Sequence, residues 1–201
     1  MFEIKKLLLS FKPLYLVILL SSALVCCKTT DIDQRIPELT FSHRPDIRLD
    51  VAKITVINEY IMPFKQPNIE HIAPISPGAS AERWASDILI PVGDQLEAQF
   101  VITSGSIIES ALKTQKGFKG IFAIEQSKRY AATVNVRLEI FDGSRRIATI
   151  NAEAERSHTL REDATPNLKT SLWYNLVENL MTTFDAEIRQ QVDLYLKDFL
   201  R

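Results

Sequence analysis

Apolar positions in this chain repeat with two rhythms, period two in its middle and a period near 3.6 towards its end. The cleanest alternation covers 130–141, with Ala132, Val134, Val136, Leu138 and Ile140 on one face and Asn135, Arg137 and Glu139 on the other. Asp142-Gly143 follows, a hairpin signal because glycine tolerates the positive φ of tight turns. The chain returns over 146–158 with Ala148, Ile150, Ala152 and Ala154 inward and Thr149, Asn151, Glu153 and Glu155 outward. Strands so divided predict a sheet with one face in water and the other covered, and the alanines let the cover approach closely. Upstream, 98–112 reads as a long strand with Gly105 a candidate bulge, and 47–60 as the first strand, with Ala52, Ile54 and Val56 on one face.

The helical rhythm occurs twice. Ser76 and Pro77 form a helix start ahead of Ala81, Trp84, Ala85 and Ile88, and Val92 and Leu96 continue the spacing beyond Pro91. The expectation is a helix over 79–89, broken or kinked at the proline and resuming to Leu96. Thr165 and Pro166 open a second run through Leu168, Leu172, Trp173, Leu176, Leu180, Phe184, Ile188, Val192, Leu196 and Phe199. As one straight helix it would be about 52 Å long, so part of it should bend or overhang. The order β-α-β-β-β-α predicts an α+β fold, a two-layer sandwich of a four-stranded, mostly antiparallel sheet with two helices on one face.

Between the first strand and the first helix, "IMPFKQPNIEHIAPISPG" belongs to neither rhythm. Its prolines forbid regular structure, yet its apolar residues are too many for a solvated loop. Such a segment either packs along the domain or presents an adhesive edge, and Tyr60, Phe64, Ile69, Ile72 and Ile75 are its candidate partner-binding residues.

The N-terminus changes the picture from a fold to a location. Lys5, Lys6 and Lys12 precede an apolar run that continues through Val25, too short to span a bilayer, in the order of a secretory signal peptide. The only two cysteines, Cys26 and Cys27, are adjacent, so they close no useful loop as a disulfide, and no other ligand lies near them in sequence to complete a metal site. Residues 1–26 are thus expected to be a signal peptide, 27–45 a polar tether with Pro37 and Pro45, and 46–201 one domain. An uncleaved signal anchor is the alternative.

Charge excludes one class of partner. The chain has 24 Lys and Arg against 25 Asp and Glu, and loss of the signal leaves about 21 against 24. A net charge near −3 gives no basic stripe for nucleic acid.

Catalytic and metal-binding patterns are sparse. His43, His71 and His158 are far apart, and none has ligand spacing. Ser104 and Ser106 flank Gly105 without a nucleophile-elbow motif, and a bulged strand accounts for them. "KGFKG", with Gly117 and Gly120, imitates a phosphate clamp but falls between strands. Arg145 and Arg146 read as a turn, Glu153 and Glu155 as a wet sheet face, and Trp84, Trp173 and Tyr174 as core. The expectation is no enzyme, no cofactor and no metal.

Leu24-Val25-Cys26-Cys27 resembles the lipobox of bacterial lipoproteins. That resemblance implies lipid attachment at Cys27, with acyl chains such as palmitate; modification of Cys26 would put bulky Val25 where a small residue belongs. Together with "DVAKITVINEY", "ERWASDILIP" and "LWYNLVENLMTTFDAEI", the chain resembles the ABC-type transport auxiliary lipoproteins and, more loosely, the lipopolysaccharide-assembly lipoproteins. The resemblance implies a non-catalytic periplasmic adaptor, anchored by lipid and bound to envelope transport or assembly proteins. Lys28 after the lipidated cysteine points to the outer membrane, with the inner membrane the alternative. A structural tether or scaffold is the second reading.

Overall fold

Alternation over 130–141 and 146–158 does build two neighbouring strands of the main sheet. The computed structural model describes residues 37–112, 127–161 and 163–201. In chain order the elements are β1 (Ile47–Leu49), β2 (Lys53–Asn58), α1 (Pro77–Ile88), β3 (Leu89–Pro91), β4 (Glu97–Leu112), β5 (Ser127–Asp142), β6 (Arg145–Arg161), α2 (Pro166–Tyr195) and a 3-10 turn at Lys197–Phe199. Four strands form one sheet in the order β2-β4-β5-β6, with β2 parallel to β4 and the other pairs antiparallel. The fold is α+β, with both helices packed on the sheet.

The inner face follows from register. Ala98, Phe100 and Ile102 of β4 lie opposite Ile140, Leu138 and Val136 of β5. The register then slips between Ile102 and Ser104, so Gly105 and Ile107 face Val134 and Ala132. One extra residue moves the inward set from even to odd numbers. The bulge sits beside Gly105, whose own role is different. A Cβ there would lie 2.7 Å from the Gly78 nitrogen and 2.8 Å from its Cα, so this glycine lets the start of α1 rest directly on β4. At the hairpin, Gly143 takes a φ of 61°, as its place after Asp142 required.

Both helices begin where their caps direct. The Ser76 side chain accepts a hydrogen bond from the Ala79 N–H at 3.2 Å with Pro77 as first helical residue, and Thr165 accepts from the Leu168 N–H at 3.3 Å with Pro166 next. Their apolar stripes meet over the sheet. The Trp84 ring lies 5.7 Å from Phe100 and 5.2 Å, edge-on, from Phe184, which joins α1, β4 and α2. Beside this cluster the buried Asp185 carboxylate accepts hydrogen bonds from Trp84 Nε1 at 2.8 Å, Arg44 Nη1 at 2.7 Å and Arg189 Nε at 3.1 Å.

Burial alone would raise the Asp185 carboxyl, but the hydrogen bonds from Arg189, Trp84 and Arg44 outweigh it and hold it below the usual carboxylate range. The stability this group contributes is therefore complete above about pH 4, its unfolded value, and is lost as pH falls through the lower folded value. In urea titrations Asp185→Asn should be less stable than wild type at pH 7, and the gap should narrow below pH 4. A gap that stays constant with acid would contradict this linkage.

Four expectations are revised. The stretch 47–60 is two strands, because Val51 turns inward and the chain passes from a small parallel pair, β1 with β3, to the main sheet. The helix does not resume after Pro91; Leu89–Pro91 pairs with β1 instead, since the residue before a proline is disfavoured in the α region. The overhang at the C-terminus is removed by ending α2 at Tyr195, after about 45 Å, and turning back so that Leu200 bridges Leu49. Finally, the packed unit starts at Pro37 and takes in part of the stretch read as tether. Phe41 is buried, its N–H donates to Asp87 Oδ2 at 2.8 Å, and Arg44 reaches Asp185, so apolar burial and a charge pair hold residues 37–45 on the helices.

Candidate docking surface

The proline-rich segment 59–76 packs along the sheet edge and also presents apolar side chains to solvent. β2 ends at Asn58, and the edge of β4 beyond its bulge is met by the loop instead. Ile69 N–H donates to the Ile107 carbonyl at 2.9 Å, Glu109 N–H donates to the Pro67 carbonyl at 2.9 Å, and Asn68 forms an antiparallel bridge with Ile108. Ile69 is only 2% exposed and belongs to the core. Its place among the candidate partner-binding residues is therefore corrected: a short strand-like contact brings it inward.

Glu70 holds this geometry. Although 2% exposed, its carboxylate accepts from the Tyr60 hydroxyl at 2.7 Å, from Asn68 Nδ2 at 3.2 Å and from the Ile107 backbone N–H at 3.1 Å. Three donors offset the cost of burying an acid, and they tie both ends of the loop to β4. Burial first, then the hydrogen bond to Glu70 and its charge, push the Tyr60 hydroxyl above its ordinary value, so it remains a donor. Tyr60, half-buried, is thus a support of the surface more than a contact on it. On sequence Glu70 beside His71 reads as a surface contact, and its burial corrects that reading; the available signal was an acid between two isoleucine-bearing turns of an apolar loop.

With the backbone pinned, Ile61 is 88% exposed, Phe64 70% and Ile72 58%. Phe64 has a φ of 53°, the left-handed region that a β-carbon disfavours by about 1–2 kcal/mol, and its ring lies 5.8 Å from that of His71. Ile75 is half-buried against the core. Beside them runs a groove of about 680 Å³ between the loop and α1, with Leu39, Met62, Phe64 and Ile75 as apolar walls and Glu38 and Arg83 at its rim.

The remaining candidates do not converge. His43, His71 and His158 are all exposed and lie on different elements. Ser104 and Ser106 sit within β4 opposite Asn135 and Thr133. Glu153 and Glu155 are exposed on the outer face, where Glu139 is buried, paired with Arg137 at 3.1 Å and with Arg146. Trp84 is core, Trp173 packs partly buried against Tyr130, and Tyr174 is half-buried. Among the described residues no group of three or more His, Cys, Asp or Glu could hold a metal, and no helix is long and apolar enough to cross a membrane. Cys26, Cys27, Gly117 and Gly120 lie outside the described residues.

No family model and no curated protein matches the chain. Among solved structures, rare lipoprotein B from Shewanella oneidensis is a weak neighbour, with 9% identity over 71% of this chain and 98% of that one, at a TM-score of 0.32. Overlap that coarse carries no weight for function, and the resemblance to the two lipoprotein families stands on the sequence features alone.

Proposed function

We propose that this protein is a lipid-anchored, non-enzymatic adaptor of the bacterial cell envelope, which docks transport or assembly proteins through Ile61, Phe64 and Ile72. The observation that carries the reading is the exposure of these three large apolar side chains on a backbone that Glu70 and β4 hold in place. Exposed apolar groups on a rigid edge lose little conformational entropy when a partner covers them, which is what a docking surface needs. The lipobox supplies the anchor at Cys27, and Lys28 favours the outer membrane facing the periplasm.

The proposal separates anchor from dock. In intact cells, crosslinking followed by detergent extraction of the tagged protein should recover envelope transport or assembly components. Phe64→Asp with Ile72→Asp should leave the protein folded and in the membrane fraction, within about 0.5 kcal/mol of wild-type stability, because both sites are exposed. Recovery of those components should fall at least about tenfold. Unchanged recovery with the double variant would remove the loop from the interface. Recovery of cell-wall or secretion proteins alone would replace the transport reading by the scaffold.

A further inference from the structure

The two edges of the main sheet are treated unequally. On one side β2 covers β4 to Ile102, and the loop at residues 67–69 continues the cover over Ile107 to Glu109. On the other side β6, Arg145–Arg161, pairs only with β5, so its outer edge has no strand partner among the described residues. From Arg146 to Arg156 the backbone N–H and C=O groups that point away from β5 are a template for another strand.

The side chains of β6 say which strand. On its outer face the order is Arg146, Thr149, Asn151, Glu153, Glu155. Arg146 takes the position after Thr149 because Ala148 pairs with Ile140 and Arg146 with Phe141, which leaves Ile147 as the extra residue of a register slip. An antiparallel copy of the same strand, turned about Asn151, sets Asn151 against itself and Thr149 against Glu153. It also sets Arg146 against Glu155 twice. Opposite charges directly across a strand pair attract, and all five residues are exposed; within one chain Arg146 also pairs with Glu139, and Glu155 lies 3.8 Å from Arg129. On the inner face the same register sets Ala148 against Ala154 and Ile150 against Ala152, small enough for the two α2 helices to lie side by side. Where α2 borders the far end of β6, Ser171, Asn175 and Asn179 line an open groove together with Leu172, Arg156 and His158.

We infer that a second copy of this chain pairs along β6, antiparallel and centred on Asn151, to give a continuous eight-stranded sheet across a two-fold axis. Such an interface is isologous, so a single substitution at its centre meets itself. Directly opposed residues in antiparallel strands stand at a separation a disulfide can bridge.

The test uses the full-length protein in its own membranes. Asn151→Cys, oxidised with copper phenanthroline, should give a disulfide-linked dimer on a non-reducing gel, well above the background of the wild-type protein with its native cysteines. Adding Glu155→Arg, which places two arginines opposite each other, should lower that yield at least about tenfold. Cysteine at Gln190, exposed on α2, should give no more than background. Absence of the dimer from a protein that reaches the membrane would overturn the inference. So would equal yields at Asn151 and Gln190, or a yield at Asn151 that Glu155→Arg leaves unchanged.

Discussion

Trp84→Ala is expected to destabilise the domain by about 3–5 kcal/mol, the range for removing a large aromatic from a packed core. Its indole fills the space between Phe100 and Phe184, where α1, β4 and α2 converge, and no neighbour can collapse into the gap without moving a helix. The same substitution removes one of the three donors to the buried Asp185 carboxylate. Trp84→Phe separates these effects. It refills most of the volume but cannot donate to Asp185, so it should cost only about 1–2 kcal/mol. Urea unfolding of both variants measures the difference, as shifts in midpoint at an unchanged slope. Equal losses in the two variants would mean that the hydrogen bond, not the packing, dominates; a wild-type midpoint for the alanine variant would contradict this description of the core.

Gly105→Ala should be nearly as damaging as a core truncation although it adds a single methyl group. The new Cβ would meet the backbone of Gly78 at 2.7–2.8 Å, and backbone, unlike a side chain, cannot rotate away. Either α1 lifts from β4, opening the packing around Trp84, or the bulged strand shifts. Overpacking of this kind costs about 1–3 kcal/mol or more. Two other glycines serve as controls. Gly78→Ala has open room, with its nearest neighbour Asn58 Nδ2 at 3.5 Å, and should be close to neutral. Gly143→Ala meets nothing within 4 Å, and should cost only the roughly 1 kcal/mol of a left-handed φ. If thermal unfolding ranks Gly143 as the most sensitive of the three, close approach is not what Gly105 provides.

Much of this fold can be read from the sequence where one rule acts alone. Alternation over 130–141 and 146–158 assigned both faces of β5 and β6, and Ser76-Pro77 and Thr165-Pro166 marked the helix starts, because strand pleating and capping are local. The misreadings came where tertiary partners decide. Val92 and Leu96 keep helical spacing, but β1 offers Leu89–Pro91 a strand to pair with. Phe41 looks like one apolar residue in a polar stretch until its N–H meets Asp87 and Arg44, three residues on, meets Asp185.

The docking surface shows the same division. That the loop at 59–76 was too apolar for solvent could be seen from its composition. Which residues turn inward could not, since no period governs a proline-rich segment. Ile69 is buried by pairing across to Ile107, and Glu70 is buried because Tyr60, its near neighbour Asn68 and the Ile107 N–H, 37 positions away, all donate to it. Only after those long-range contacts are known do Ile61, Phe64 and Ile72 stand out as the side chains with nothing over them.

The most direct test of the adaptor reading places a photo-crosslinking amino acid at Phe64 in the full-length protein, in intact cells, with the same residue at exposed Gln190 as control. Ultraviolet light should produce a discrete adduct from position 64, joined to an envelope transport or assembly protein and missing from position 190. No adduct from position 64 in protein that reaches the membrane, or the same adducts from both positions, would contradict it.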